Sequence, residues 1–532
     1  MRQASDKGDD LASPQRIVVI GSGLGGLAAA IRLAARGHQV TVVERLPDPG
    51  GRARVFRQDG FTFDSGPTVI TAPWLLADLF ALAGRRLEDA VTLVPLDPFY
   101  RLFFADGSRL DYSGDEERML AEFRRLGLPA ADEAGYQEFV RQSERIFAKG
   151  FTVLAAEPFL RPGDMARIVP DMVRLRSHRS VHALVAGYVR DPRLRAALSF
   201  HPLLVGGDPF RTTSIYALIH HLERHWGVWF AMGGTGALVD AMVALFEGMG
   251  GVLRCGSEVV EITAQQGRAA GVRLADGERL DADAVVCNAD VADAVQRLLP
   301  PGHRGRYSDR RLRRTRFAMS LVVIYFGTNR TYRGEDAPAL AHHNIIFGPR
   351  YRGLLDDVFR RKVLADDFSL YLHLPTLTDP SLAPAGCDAF YVLAPVPNLS
   401  GSVDWAERAG PYRDRIMTFL EQRYLPGLGR HVVTERMIDP RYFRDELRSH
   451  LGSAFSFEPV LTQSAYLRAP NRWPSLPNLY VVGAGTHPGA GLPGVLCSAV
   501  IVDRLVAEAA AGANNGGAHR RPRPADRTDR QA

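Results

Sequence analysis

The chain has 532 residues, more than one hydrophobic core of ordinary size can organise, so two or three lobes are expected. Its hydrophobic share of 46% and charged share of 23% are typical of a globular protein and argue against a fibrous or disordered one. The net charge of +6 does not indicate nucleic-acid binding, because half of it comes from the segment 519–532, with five arginines against two aspartates.

The four cysteines are far apart and form no CxxC pair. They indicate neither a disulfide framework nor a zinc site, no metal ion is expected, and they fit a reducing cytoplasm: Cys255, Cys287, Cys387 and Cys497. The apolar run 17–35 contains clustered glycines and Arg32, so it is not predicted to be a signal peptide or a membrane span. No other run approaches the ~20 apolar residues of a transmembrane helix, so any membrane contact is expected to be peripheral.

The folded part of the chain is predicted to begin with a βαβ unit. Residues 1–14 are polar and are expected to be disordered. Residues 17–20 are predicted as a short buried strand, residues 24–36 as a helix and residues 39–44 as a second strand. This order is typical of a Rossmann-type nucleotide-binding domain.

A glycine-rich turn, GSGLGG, joins the first strand to the helix. Gly21 permits the tight turn, Gly23 lets the backbone approach a pyrophosphate, and Gly26 lets the helix lie close to the sheet. The N-terminus of the helix then faces the negative phosphates. Glu44 ends the next strand 18 residues after Gly26, where a carboxylate can accept hydrogen bonds from ribose hydroxyls. We therefore expect these four residues to bind a dinucleotide.

A second motif, GGRA, follows that strand directly. The adjacent glycines, Gly50 and Gly51, allow the backbone to pass against a cofactor, and Arg52 can neutralise pyrophosphate oxygens. An ordinary turn with a surface arginine is the alternative. This extension favours FAD over NAD as the cofactor.

Short apolar strands are predicted again in the middle and near the end of the chain. Residues from about 75 to 230 look mainly helical, with Pro and Gly interruptions. Later strands are predicted at 252–254, 259–264, 271–274, 284–288, 319–326, 368–373 and 478–482, and a final helix at 496–510.

We predict an α/β fold in which the nucleotide domain is discontinuous, because a nucleotide-type strand returns at residue 478. An α+β substrate domain is inserted into this Rossmann-type FAD-binding domain, together with a helical region that associates with the membrane. The predicted boundaries are 15–75, 231–300 and 470–510 for the FAD domain, 76–230 for the helical region, 301–469 for the substrate domain, and 511–532 for a disordered basic tail.

A third glycine-rich segment, 483–495 (GAGTHPGAGLPGV), follows the strand at 478–482. Five glycines in thirteen residues suit a place where backbone amides approach the flavin or its pyrophosphate chain. A stabilising role in the turn is favoured for His487 over a catalytic role. The candidate cofactor contacts in the segment are Gly485, Thr486, Gly494 and Val495.

Several longer blocks make the chain resemble a bacterial-type phytoene desaturase. They are, besides the first and third motifs, 60–71 (GFTFDSGPTVIT), 200–216 (FHPLLVGGDPFRTTSIY), 227–238 (GVWFAMGGTGAL), 367–375 (DFSLYLHLP) and 391–397 (YVLAPVP). The similarity extends over about residues 15–510. Two departures from the family pattern, Ala231-Met232 and Cys497, leave the end product open.

The resemblance implies FAD as cofactor and successive dehydrogenation of 15-cis-phytoene to neurosporene or lycopene. It also implies peripheral association with the cytoplasmic side of the membrane, where phytoene and partly desaturated carotenes reside, and it places the backbone of Val259 against the adenine. The expected chemistry is hydride transfer to flavin N5 and loss of a proton from the neighbouring carbon. Quinone or oxygen is the expected electron acceptor.

The residue that takes the proton is not evident from the sequence. Asp164, with Arg167 one turn on, stands in the apolar stretch 151–173, and an Asp beside an apolar channel would have a raised pKa. Capping of a helix is the favoured alternative for Asp164. The same stretch mixes aromatic, aliphatic and basic residues. This mixture fits either an interfacial membrane entrance or an ordinary helical lid.

Other functions remain open at this point. A sibling carotenoid desaturase, isomerase or ketolase would share these motifs. A non-catalytic prenyl-binding escort protein would share the architecture without the redox chemistry. An escort would not need a flavin-facing glycine turn. An amine oxidase is less favoured, because the sequence shows no aromatic cage for an amine.

Overall fold

A computed structural model of the chain describes residues 13–333 and 338–517, with side chains to residue 511. Residues 1–12 and 518–532, most of the two termini predicted to be disordered, lie outside the described residues. Residues 511–517 were expected in the tail but continue the last helix.

In chain order the described strands are β1 (Arg16–Ile20), β2 (Gln39–Val43), β3 (Val55–Gln58), β4 (Phe61–Asp64), β5 (Leu93–Pro95), β6 (Tyr100–Phe103), β7 (Arg109–Tyr112), β8 (Trp229–Ala231), β9 (Val252–Arg254), β10 (Val259–Gln265), β11 (Arg268–Leu274), β12 (Arg279–Asp281), β13 (Ala284–Cys287), β14 (Ser320–Thr328), β15 (His343–Ile346), β16 (Leu370–His373), β17 (Asp388–Val396), β18 (Val432–Ile438) and β19 (Leu479–Val481).

The described α-helices are α1 (Leu24–Ala35), α2 (Pro73–Ala81), α3 (Glu116–Arg125), α4 (Ala130–Gly150), α5 (Pro162–Arg174), α6 (Val181–Val185), α7 (Pro192–Ser199), α8 (Leu218–Trp226), α9 (Gly234–Gly248), α10 (Val291–Asp293), α11 (Asp309–Arg314), α12 (Tyr351–Asp356), α13 (Trp405–Arg423), α14 (Leu428–His431), α15 (Pro440–Asp445) and α16 (Leu492–Gly517).

A five-stranded parallel sheet organises the nucleotide side of the molecule, in the order β19-β13-β1-β2-β9. Its strands come from the beginning, the middle and the end of the described chain. Val19 of β1 pairs with Val286 on one side and Val42 on the other. Helices α1, α9 and α16 bury their apolar faces against this sheet, as covered parallel sheets require.

A three-stranded antiparallel sheet, β10-β11-β12, stands beside it. The turn between β11 and β12 is at Gly277, which adopts a φ of 95° where glycine has no steric penalty. Strand β12, with only three residues and a mixed burial pattern, was not predicted.

The third layer is a seven-stranded mixed sheet in the order β18-β14-β17-β16-β15-β6-β7. One strand in from the edge lies β14, all nine residues of which are buried; it pairs with β17 in a continuous antiparallel register. Strands β6 and β7 come from the region predicted to be mainly helical. They form one edge of this sheet, where β6 pairs in parallel with β15.

Candidate active site

A cavity of about 590 Å³ lies between the parallel sheet and the seven-stranded sheet. Its volume is in the range of small-molecule and cofactor sites. It is lined by Gly21, Glu44 and Asn288, which directly follow β1, β2 and β13, and by Gly483, two residues after the end of β19. Ligands of open parallel sheets bind at this carboxyl end of the strands.

At the glycine turn after β1, backbone without side chains lines the cavity. Gly21 has a φ of 91°, and Gly23 precedes the first residue of α1. A Cβ on Gly26 would lie 2.1 Å from the carbonyl oxygen of Gly21, so only glycine allows α1 to pack so close to the strand. Gly26 does not line the cavity itself; it sets the position of the helix N-terminus that does.

Glu44 is a buried carboxylate held in one orientation. One oxygen accepts hydrogen bonds from the backbone N–H (2.8 Å) and the hydroxyl (2.9 Å) of Ser22, and the other from the N–H of Leu46 (2.9 Å). Because a carboxylate has about four acceptor sites, one remains for a hydroxyl in the cavity. Ser22 was not among the predicted site residues.

Arg52 contributes a half-buried cation with a fully buried Nε to the lining of the cavity. Its Nη2 donates to the hydroxyl of Ser449 at 2.7 Å, whereas its Nε is buried without a hydrogen-bond partner. Burial lowers the pKa of Arg52, an effect that Asp290 opposes. A buried guanidinium with an unused donor fits an anionic group such as a phosphate.

The glycine turn after β19 packs against the turn after β1 through Asn288. A Cβ on Gly483 would lie 2.5 Å from the Oδ1 of Asn288, and one on Gly23 would lie 2.9 Å from its Nδ2. Sequence reasoning missed Asn288; its place directly after the fully buried strand β13 is the signal that could have found it.

The predicted contacts of the third motif divide into two groups. Gly485, Gly494 and Val495 line the cavity, as do Gly51 and Val259. Thr486 does not: its buried hydroxyl donates to the carbonyl of Gly483 at 3.1 Å and accepts from Asn471 at 3.2 Å. The side chain of Thr486 therefore stabilises the turn.

His487 connects this turn to the segment that follows α4. Its Nε2 donates to the carbonyl of Leu154 at 2.9 Å, and its ring lies edge-on to Phe159 at 4.7 Å. Burial lowers the pKa of His487 to about 4, so the imidazole is neutral near neutral pH. These contacts agree with a stabilising role in the turn.

Asp164 and Arg167 do not line the cavity. Asp164 lies in the first turn of α5 and accepts hydrogen bonds from the backbone N–H groups of Leu160 (3.0 Å) and Arg161 (2.9 Å) and from Arg167 (2.8 Å). These hydrogen bonds lower its pKa, so the expectation of a raised pKa is wrong. The physical reason is that Asp164 is near solvent and caps the helix instead of facing apolar substrate.

The other half of the cavity has apolar walls. They carry aliphatic, aromatic and methionine side chains, among them Leu203, Ile219, Leu222, Leu321, Ile345 and Phe347. Apolar walls of this kind recognise a ligand by its shape and length.

Three buried histidines, His342, His343 and His373, lie behind this wall. One nitrogen atom from each lies within 4.8 Å of the others, the nearest approach to a metal-ligand set among the described residues. The Nε2 atoms of His342 and His373 are already hydrogen-bonded to each other at 2.9 Å, and a metal ion would have to break that bond. We therefore interpret this group as a hydrogen-bonded cluster.

The chain matches the family of flavin containing amine oxidoreductases over residues 24–502. It is 50% identical to a lycopene-forming phytoene desaturase of Pseudescherichia vulneris, with 93% of this chain and 99% of the relative covered. It is 45% identical to a neurosporene-forming phytoene desaturase of Cereibacter sphaeroides, with 93% and 95% covered.

Solved structures show the same fold. An oxidoreductase from Methanosarcina mazei aligns with a TM-score of 0.61 at 20% identity, covering 92% of this chain and all of that one. The match to flavin enzymes and the residues at the cavity agree: a buried arginine with a free donor and bare backbone at a helix N-terminus suit the pyrophosphate of FAD. The chain is therefore an FAD-dependent oxidoreductase that belongs to the flavin-containing amine oxidoreductases, in the group of the phytoene desaturases.

Proposed function

We propose that the chain dehydrogenates 15-cis-phytoene in successive steps, to neurosporene or lycopene. The observation that carries this proposal is the continuity of the glycine-lined cofactor site with an apolar channel in a single cavity. A C40 hydrocarbon offers no polar handle, so its enzyme must recognise it by apolar contact over a long surface. The relatives named above act on phytoene, and they divide between the two products.

The cofactor contacts in this proposal follow the order of the parallel sheet. Gly21, Gly23 and the N-terminus of α1 would hold the pyrophosphate, with Arg52 supplying the compensating charge. Glu44 would accept from a ribose hydroxyl and the backbone of Val259 would face the adenine. On the other side, Gly51, Gly485, Gly494 and Val495 would receive the rest of the flavin.

FAD supplies the hydride acceptor when it is bound. The residues of the chain position the polyene, exclude water and provide a wall that does not react with positive charge developing on an allylic carbon. The electrons then pass to a quinone or to oxygen.

We also propose that α5 and the preceding segment form the entrance from a membrane surface. Met165, Ile168 and Met172 of α5 line the cavity, whereas Val169 and Val173 on the other side of the helix are 48% and 63% exposed. Exposed Arg161, Arg167 and Arg174 adjoin them. An exposed apolar face with arginines at its edge suits the boundary of anionic lipid, from which a carotene could enter the channel. Among the described residues, no helix is long and apolar enough to span a membrane.

The decisive experiment supplies the purified protein with FAD, phytoene in liposomes and a quinone. We expect the colourless substrate to give coloured carotenes with nine or more conjugated double bonds, identified by chromatography and absorption spectra. Protein without FAD is the control. A preparation that binds FAD and still yields no conjugated product would contradict the proposed function.

A further inference from the structure

A polar cluster interrupts the apolar wall of the channel. The hydroxyl of Tyr371, on β16, is hydrogen-bonded to the Nδ1 of His343 at 2.7 Å and to the hydroxyl of Thr68 at 3.0 Å. Tyr371 and Thr68 line the cavity, and His343 lies directly behind them. Polar groups in an apolar wall are costly to bury, so their place at the substrate surface points to a role there.

This cluster is attached to the cofactor side of the cavity. Thr68 continues the segment in which the hydroxyl of Ser65 donates to the carbonyl of Arg52 at 3.2 Å. A Cβ on Gly66 would lie 1.9 Å from that carbonyl, so the two segments are in direct backbone contact. Tyr371 therefore lies where the apolar channel meets the proposed flavin site.

Both Tyr371 and His343 are neutral before any proton is transferred. Burial lowers the pKa of His343 far below its usual range, so its imidazole is neutral and can accept at Nδ1. Burial raises the pKa of Tyr371, so its hydroxyl keeps its proton. The Nε2 of His343 and the Nδ1 of His373 have no hydrogen-bond partner, so the cluster can form further hydrogen bonds.

We infer that Tyr371, with His343 behind it, accepts the proton released in each desaturation step. The inference depends on the proposed function. As one carbon loses a hydride, which bound FAD would accept, the C–H bond of the neighbouring carbon breaks and its electron pair forms the new C=C bond. The released proton binds the oxygen of Tyr371, while the hydroxyl proton of Tyr371 moves to the Nδ1 of His343. One carbon thus loses a hydride and its neighbour a proton.

A weak base is sufficient for this step, because a C–H bond beside an allylic cation is strongly acidic. The other candidates lie in less suitable places. Asp164 is outside the cavity lining. The carboxylate of Glu223, which does line the cavity, accepts from the hydroxyl of Tyr100 at 2.7 Å and the Nε2 of His201 at 3.1 Å, so its hydrogen bonds do not connect it to the segment 65–68 that contacts Arg52. In this scheme Tyr371 is a catalytic residue and His343 a positioning residue and relay.

The variants Tyr371→Phe and His343→Leu test the inference. We expect kcat for phytoene to fall by about 100-fold or more in each, the usual contribution of a positioned acid–base group, with KM within about threefold of the wild type. Quenching of tryptophan fluorescence by phytoene shows whether the channel still binds substrate. In flavin-free protein, ¹⁵N NMR of the histidines should show the Nδ1 signal of His343 shifted by Tyr371→Phe.

A third variant separates proton transfer from mere orientation. His343→Asn places an amide oxygen near the position of Nδ1, which can accept a hydrogen bond but does not hold a proton. We expect it to remain as slow as His343→Leu; recovery of activity would overturn the relay. The control is Tyr325→Phe, which removes a buried hydroxyl that donates to the carbonyl of Ser65 at 3.2 Å from outside the cavity lining.

The outcomes distinguish this inference from the proposed function. If the wild type forms coloured carotenes but Tyr371→Phe keeps its kcat within about threefold, the inference fails and the function stands. If the wild type itself forms none, the function fails, and the NMR signal still reports the hydrogen bond.

Discussion

Buried charges facing one cavity are the features that matter most at the scale of single residues. Arg52 and Glu44 carry opposite charges, and each is held in place by protein partners while keeping capacity for a ligand. Such groups are costly in an apolar interior unless something in the cavity pairs with them. A dinucleotide with phosphates and ribose hydroxyls offers both partners.

Removing the charge of Arg52 should weaken FAD binding selectively. A hydrogen bond to a charged group contributes about 1.5–3 kcal/mol, so we expect Arg52→Gln to raise the Kd for FAD by about 10- to 150-fold. Calorimetric titration of the flavin-free protein measures this change. The control is Arg86→Gln, because the Arg86 side chain is 75% exposed and is not part of the cavity lining. An unchanged Kd in Arg52→Gln would show that Arg52 does not contact the cofactor.

His487 should make the stability of the protein depend on pH. Its pKa is lowered from 6.5 to about 4 in the folded state, so the unfolded state binds a proton that the folded state does not. Its contribution is intact above pH 6.5 and is lost as the pH falls from 6.5 to 4, by on the order of 3 kcal/mol.

The variant His487→Gln isolates this effect, because its amide N–H can still donate to Leu154 but does not titrate. We expect the free energy of unfolding of the variant to fall less steeply than that of the wild type between pH 6.5 and 4, as followed by urea denaturation. Parallel pH profiles for the two proteins would contradict the buried, neutral state of His487.

At the scale of single elements, α5 has two apolar faces with different surroundings. One face lines the cavity, and the other, with Val169 and Val173, is exposed. A helix that only covered a core would expose polar side chains on its outer face.

Placing charge on the outer face of α5 should therefore reduce membrane binding. We expect the double variant Val169→Asp with Val173→Asp to float with anionic liposomes several-fold less than the wild type, because aspartate resists burial and repels anionic lipid. Activity toward phytoene in detergent should be retained. The control is Val433→Asp on β18, since Val433 is 51% exposed. Equal flotation of all three proteins would exclude α5 as the membrane contact.

At the scale of the whole molecule, the parallel sheet joins stretches that are far apart in sequence. The loops that would hold FAD follow strands from the beginning, the middle and the end of the chain. A ligand bound to all three stabilises the folded state, because the unfolded chain has no assembled site.

Saturating FAD should accordingly raise the Tm, with a stabilisation of about 2.7 kcal/mol at a free concentration 100 times the Kd. FMN, which lacks the adenosine half, should stabilise less at the same concentration, because it cannot reach Val259. Differential scanning fluorimetry compares the two. Equal shifts with FAD and FMN would contradict the proposed adenosine contact.

Local motifs determined what the sequence could predict. The α/β class and the FAD cofactor, both confirmed, follow from glycines and an acid that lie within 24 residues, from Gly21 to Glu44, and need only the strand–turn–helix geometry. The later turns could be recognised because each follows a short apolar strand. For Asp164 the sequence left two interpretations open, a helix cap and a proton-transfer residue.

The tertiary structure alone decided which polar groups meet. Thr68 and Tyr371 are 303 residues apart in sequence and Arg52 and Ser449 are 397 apart, yet each pair is hydrogen-bonded. No periodicity or spacing encodes such contacts, because they depend on how whole sheets pack on one another. The sequence thus specifies a flavin enzyme through local backbone geometry, whereas packing over long distances assembles the channel wall and the proton acceptor proposed in it.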